Sequence, residues 1–340
     1  MSDFARFNKR IFSKLKNVSI ELSDLERSGY WVVIGGFEND WLLLEFESMS
    51  FDDGAESGFW PGVEKTAWSS SLDKSQYQSS VNVLRDNIAR GEVYQANLCR
   101  ILSAQWPNGG DIAGLANLLL VGNPAPFSAV IKVSSESNFR LTKDVNLASA
   151  SPELYLRRDG ALLESSPIKG TGRVAGDLSE KDSAENIMIV DLVRNDLSRI
   201  CETGSVKVPQ LLAVEEHPGL VHLVSTVSGE LKQQTSWSEI FQATFPPGSV
   251  SGAPKLSALK LISELEREAR GPYCGAIGWI DSFENKAELA VGIRTFWKDR
   301  DELKFGTGAG ITWGSEAEKE WDETVLKTEK LFSLAAMQHG

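Results

Sequence analysis

Three cysteines in 340 residues, Cys99, Cys201 and Cys274, are too scattered for a disulfide framework. They form no Cys-x-x-Cys pair, which weighs against a structural zinc site and fits a reducing compartment. Histidine is scarcer than in most enzymes, leaving His217, His222 and His339 as possible bases. No cysteine lies in a Gly-x-Cys-x-Gly elbow, so a built-in glutaminase is excluded. Long apolar runs are missing too. The strongest, residues 31–37 and 115–121, fall far short of the roughly 20 residues of a membrane-spanning helix. Residues 1–16 are polar and basic, unlike a signal peptide, and a cytoplasmic location is expected. Positive charge is in deficit: 35 Lys and Arg against 47 Asp and Glu give a net charge of −12. That argues against a nucleic-acid groove or an anionic membrane surface. An anionic small molecule stays admissible if its pocket is locally basic or holds a metal. There is no internal repeat, no Pro/Ser-rich linker and no strand–Gly-x-Gly-x-x-Gly–helix unit, so a dinucleotide-binding fold is not expected.

What remains is a globular composition, 41% hydrophobic and 24% charged. Residues 1–75 read as an N-terminal part ending in a long surface connection, 48–71. Residues 76–340 carry the rest of one integrated domain. Tyr77, Val81, Leu84 and Ile88 recur at helical spacing and Gly91 stops that helix. A strand is expected over 92–102 and a hairpin over 147–163 turning at Arg158-Asp159-Gly160. Helices follow over 180–200 and 254–268, strands over 273–280, 287–297 and 303–312, and a last helix over 316–336. Strands grouped in consecutive runs predict an α+β fold with largely antiparallel sheets.

Several groupings could carry chemistry. Ser315 and Glu318 have the spacing of a capping box. From that start Glu320, Glu323 and Lys327 make one stripe, while Trp321, Val325 and Phe332 suit a core. Asp182 and Glu185 stand at i, i+3 in the first turn of another helix. Both pairs read equally as solvated acidic faces or helix-dipole partners. Together they could also converge on one hard cation, and magnesium takes few carboxylates plus water and an anionic ligand. The run Pro246-Pro247-Gly248-Ser249-Val250-Ser251-Gly252-Ala253-Pro254-Lys255 is either a structural turn or an anion-binding loop. Gly306, Gly308 and Gly310 in a strand imply close approach of a ligand or of another backbone. Arg294 would face small neighbours across its strand, leaving room for a planar anion or a protein carboxylate. Lys169, between Pro167 and Gly170, is an ordinary lysine unless burial or a nearby cation lowers its pKa.

In combination these segments resemble the chorismate-using enzymes: the large subunits of anthranilate and aminodeoxychorismate synthases, and the isochorismate and salicylate synthases. The resemblance runs from about Gly91 to Phe332 through seven segments in order. They are Gly91-Glu92-Val93-Tyr94-Gln95-Ala96-Asn97, Ser151-Pro152-Glu153, the Lys169 segment, 184–199, His222-Leu223-Val224-Ser225, 248–275 and 308–327. It implies a layered sandwich of two large, mostly antiparallel sheets with helices outside. It also implies Mg2+ as cofactor, with Glu185 and Glu323 as main ligands and Asp182 and Glu320 nearby. Arg294 and Tyr273 would hold the pyruvyl carboxylate of chorismate. Gly252, Ala253, Gly308, Gly310, His222, Lys327, Thr171 and Gln95 would line the rest of the substrate site, and Glu153 would be the general acid.

Two positions divide the family. The isochorismate and salicylate branch is implied to carry a water-activating lysine where this chain has Gln95, which cannot serve as a base. The anthranilate branch carries a small residue at Lys169, and the aminodeoxychorismate branch carries lysine. The resemblance therefore implies the aminodeoxychorismate branch, making 4-amino-4-deoxychorismate from chorismate and ammonia through a covalent Lys169 adduct. Ammonia would come from a separate glutamine amidotransferase subunit. The rivals are an anthranilate-forming enzyme and a non-catalytic binding subunit. This chain departs from its relatives after Thr171, where a short Gly172-Arg173-Val174-Ala175-Gly176 replaces a longer insert.

Overall fold

The computed structural model describes residues 3–52, 54, 57–172, 174–217 and 220–339; the side chains of residues 171, 175, 217 and 220 are outside the description. Within it are six α-helices: α1 (Lys74–Ala89), α2 (Ile112–Gly122), α3 (Glu180–Ser198), α4 (Trp237–Thr244), α5 (Lys255–Leu265) and α6 (Ala317–Ala335). Among the described residues no helix is long and apolar enough to cross a membrane.

Every strand pairing is antiparallel, and the pairings form two runs. In the first, Gln95–Gln105 pairs with Glu302–Ile311, which pairs with Thr295–Asp299, then Val145–Ser151 and Phe127–Val133. In the second, Arg10–Ser19 leads through Trp41–Phe51, Tyr30–Gly35, Ala276–Asp281, Lys286–Val291, Leu154–Asp159 and Leu162–Ser166 to Leu220–Glu230. The two expected sheets are thus present, but they are not separate: the short strand Phe4–Phe7 pairs with both Arg10–Ser19 and Phe127–Val133. Apolar positions from both runs share one core with α3 and α4, including Trp31, Leu44, Ile131, Leu156, Ile189 and Phe241. On the outside of the first run, Leu115, Leu119, Phe305 and Phe332 pack under α2 and α6, and Tyr77, Val81 and Ala258 under α1 and α5.

Several expectations are corrected. The segment 48–71 is not purely a surface connection, because Trp60 is fully buried and its Nε1 donates to Ala335 O at 2.8 Å. The strand expected over 287–297 is two, Lys286–Val291 and Thr295–Asp299. Arg294 sits in the break with φ +52, a left-handed conformation that interrupts strand geometry. The expected capping box at Ser315 is absent: α6 starts at Ala317 with no side-chain cap. Ser315 is used elsewhere, accepting from Thr312 N at 3.0 Å and hydrogen bonding to the Glu320 carboxyl. On α6 the expected Phe332 is buried, together with Glu320, Thr324, Thr328, Leu331 and Ala335, whereas Val325 is exposed.

Candidate active site

Lys169 lies on the strand Ile168–Gly172, which packs against the first turn of α3. The contact depends on Gly170, whose φ of +82 suits glycine and where a Cβ would lie 2.8 Å from the Asp182 Cβ. Half-buried, Lys169 donates from Nζ to Ser249 O at 2.9 Å. Burial lowers its pKa. Glu153, Glu185 and Glu323 pull the other way, and Lys327 adds to the lowering.

Glu153 follows Ser151 at the end of the strand Val145–Ser151 and is only 4% exposed. Burial pushes its carboxyl above the usual range, against hydrogen bonds from the Ser249 hydroxyl and Ile168 N–H and the Lys169 charge. Ser249 therefore touches both partners, its carbonyl holding Lys169 and its hydroxyl holding Glu153. Sequence reasoning placed Ser249 in a glycine-flanked loop without singling it out. A small polar residue between Gly248 and Val250 was the available signal.

Arg294 is joined to the same region by its backbone, since Ala150 N donates to Arg294 O at 3.0 Å. Its neighbour segment is tied in as well: Ser151 Oγ donates to Val291 O at 2.6 Å, and Val291 N to Glu153 O at 3.0 Å. Its guanidinium, half-buried, has no hydrogen-bond or ion-pair partner among the described residues, and burial lowers its pKa. The alternative of a protein carboxylate partner thus finds no support, and an exogenous anion would satisfy the group.

Gln95 is 1% exposed, and its Oε1 has no hydrogen-bond partner among the described residues. Its amide nitrogen fills the space beside Gly310, where a Cβ would come within 2.6 Å. Gly252 and Ala253 pair as a two-residue strand with Ala96 and Gln95. Gly306 and Gly308 are covered by the Tyr273 ring and by Cys99. The glycine run thus admits the chain's own side chains. Tyr273 is buried, its hydroxyl 4.0 Å from Cys99 Sγ, and it makes no hydrogen bond to Arg294. His222 is buried opposite Thr171 in the strand register; the Thr171 and His217 side chains lie outside the described residues.

The acidic pairs on α3 and α6 face one another closely enough to interact. Burial raises Glu185, aided by Asp182 and Glu323, and burial raises Glu320, aided by Glu323. Asp182 is committed to its helix start, its Oδ2 accepting from Ser179 N at 2.8 Å and Ser179 Oγ at 2.6 Å. Glu320 is engaged by Ser315. Glu185 and Glu323 meet exposed lysines instead, Lys181 at 3.7 Å and Lys327 at 2.6 Å. Lys327 also donates to Gly308 O at 3.0 Å. Among the described residues no group of three or more His, Cys, Asp or Glu is close enough to hold a metal ion. The donor set fits a hard cation held by two carboxylates, with remaining ligands from water and substrate. Asn186 sets the orientation next to Glu185: its Nδ2 donates to Leu223 O at 3.0 Å and its Oδ1 accepts from Ser225 Oγ.

Residues 53–333 match the family model described as chorismate binding enzyme. The chain is 35% identical over 277 residues to anthranilate synthase component 1 of Aquifex aeolicus, covering 78% of this chain and 53% of that protein. It is also 35% identical over 276 residues to aminodeoxychorismate synthase component 1 of Escherichia coli, covering 78% of this chain and 58% of that one. The chain thus spans little more than half the length of these relatives. A solved anthranilate synthase component I from Streptococcus pneumoniae superposes with a TM-score of 0.78 at 23% identity, covering 97% of this chain and 90% of that one. The menaquinone-specific isochorismate synthase of Escherichia coli superposes with a TM-score of 0.77 at 16% identity, covering 98% and 88%. These two show a shared fold. With a family match over most of its length and the α+β sandwich in place, the chain belongs to the chorismate binding enzymes.

Proposed function

We propose that the chain is the large subunit of an aminodeoxychorismate synthase, converting chorismate and ammonia to 4-amino-4-deoxychorismate and water. The observation that carries this reading is Lys169: a half-buried amine of lowered pKa on the carbonyl of Ser249, whose hydroxyl holds a buried carboxyl of raised pKa. Lowering favours the neutral amine, the form that can attack, and raising favours the protonated carboxyl, the form that can donate.

The neutral Lys169 amine bonds to ring carbon 2, the ring double bonds shift, and the carbon 4 hydroxyl leaves as water with the Glu153 proton. Ammonia then bonds to carbon 4 and the Lys169 amine departs from carbon 2. The ionised Glu153 takes up the proton that the new amine sheds, restoring both groups. Arg294 supplies an unpartnered guanidinium for a substrate carboxylate. Gln95 supplies a buried neutral amide, which cannot take a proton from water, and this supports ammonia over water as nucleophile. Glu185 and Glu323 would hold Mg2+, which when bound offsets the carboxylate charge of the substrate. Ammonia would be delivered by a separate glutamine amidotransferase subunit, and 4-amino-4-deoxychorismate leads to 4-aminobenzoate and folate.

Anthranilate formation is the second reading, favoured by the equal identity to an anthranilate synthase component. Incubation with chorismate, Mg2+ and ammonium separates the two. Fluorescent anthranilate appearing directly contradicts the proposal. A product that yields 4-aminobenzoate only after a lyase is added supports it.

A further inference from the structure

Arg270 and Glu266 form a buried ion pair with no part in the chemistry above. Arg270 is 1% exposed. Its Nε and one terminal nitrogen form a fork on Glu266, at 2.8 and 2.6 Å. The remaining donors go to backbone carbonyls: one terminal nitrogen to Val250 O at 2.9 Å, the other to Asn97 O at 2.7 Å. Glu266 in turn accepts from Cys99 N at 2.8 Å. The Phe37 ring covers the guanidinium at 4.0 Å, and Glu38 accepts from Arg270 N at 2.7 Å.

A buried ion pair is a poor way to gain stability, because desolvation offsets most of its attraction. Here its donors and acceptors converge on two short backbone stretches. One is residues 97–99 of the strand that carries Gln95. The other is Val250, the residue after Ser249, whose carbonyl holds Lys169 and whose hydroxyl holds Glu153. We propose that Arg270, clamped by Glu266, is a positioning residue for the Lys169–Glu153 pair: it fixes the turn that presents Ser249 to both. Four hydrogen bonds in one rigid plane reach one carboxylate and two carbonyls together, which a lysine cannot reproduce. Arg270 touches no substrate in this arrangement; it acts through the Ser249 peptide. The inference rests on the roles given above to Lys169 and Glu153.

The test compares full-length wild type with Arg270→Lys and Glu266→Gln, each assayed below its own melting temperature. Loosening the turn misplaces the reacting groups, so Arg270→Lys should lower kcat by about 10- to 100-fold. KM for chorismate should change by less than about threefold, since the loss falls on the chemical step. Glu266→Gln should act in the same direction, and it decides the matter if Arg270→Lys does not fold. A second readout needs no turnover: labelling of Lys169 by an amine-directed reagent, followed by peptide mass spectrometry, should be several-fold faster in both variants. A lowered melting temperature with kcat and Lys169 labelling unmoved would make the pair merely structural and overturn the proposal, as would a raised KM at unchanged kcat. A wild type that leaves chorismate intact would instead sink the functional reading, and labelling would still decide the clamp.

Discussion

At the scale of single residues the account turns on two pKa shifts in opposite directions. Burial lowers Lys169 and raises Glu153, so both move inward from their ordinary values of 10.5 and 4.5. The reaction needs Lys169 neutral and Glu153 protonated. Activity therefore falls as acid protonates the amine and falls again as alkali ionises the acid. The profile of kcat/KM should be bell-shaped with both limbs between those ordinary values, the limbs belonging to the pair as a unit. Glu153→Gln cannot ionise, so its residual activity should rise with pH without the alkaline fall; an unchanged alkaline limb would assign that limb elsewhere. Arg294 gives a second prediction. Removing a guanidinium that holds a carboxylate costs about 1.5–3 kcal/mol, so Arg294→Ala should raise KM for chorismate at least about tenfold. An unchanged KM would remove Arg294 from the substrate site. The sequence shows Lys169 in a proline–glycine setting, yet its burial comes from 80 residues away at Ser249 and could not be read from neighbours.

At the scale of elements, long periodic segments were legible and their ends were not. The helix of Tyr77, Val81 and Leu84 closes at Gly91, with φ +77, as its pattern predicts. Helix α3 begins at Glu180, with Ser179 and Asp182 forming a capping box. At α6 the local signal misled, because tertiary partners outbid the cap: Ser315 serves Glu320, and Glu318 reaches Lys74 and Gln78 on α1. Of the expected apolar face of α6, Phe332 is in the core and Trp321 packs against it, but Val325 is exposed. Thr324 is buried in its place, taking a hydrogen bond from Arg100 on Oγ1 at 3.0 Å and one from Thr307 on its carbonyl at 3.0 Å. The positive φ at Arg294 carried no mark of its own, since the residue is neither glycine nor asparagine, although Gly292 stands at the start of the same break. Gly170 is where an element junction can be tested. A Cβ there meets Asp182 and must adopt φ +82, so Gly170→Ala should cost about 1–3 kcal/mol in urea unfolding. An unchanged midpoint would mean that the Lys169 strand and α3 are not locked together at this point.

At the scale of the molecule, antiparallel pairing interleaves the start of the chain with its end. Tyr30–Gly35 pairs with Ala276–Asp281, and Phe4–Phe7 bridges the two strand runs. Strand patterns were readable, but which strands pair across hundreds of residues was not, because alternation specifies a face and not a partner. A fragment of residues 76–340 would lose those strands and expose core residues packed against Trp31, Leu43 and Phe46. It should show no cooperative thermal transition by circular dichroism; a cooperative, soluble fragment would contradict the interleaving as a requirement for folding. The family follows from most of the chain, whereas the proposed product rests mainly on one lysine. The most direct measurement is therefore the product formed by Lys169→Ala from chorismate, Mg2+ and ammonium, identified by mass spectrometry beside wild type. The account predicts that wild type forms 4-amino-4-deoxychorismate and the variant forms none. Undiminished 4-amino-4-deoxychorismate from Lys169→Ala would contradict it.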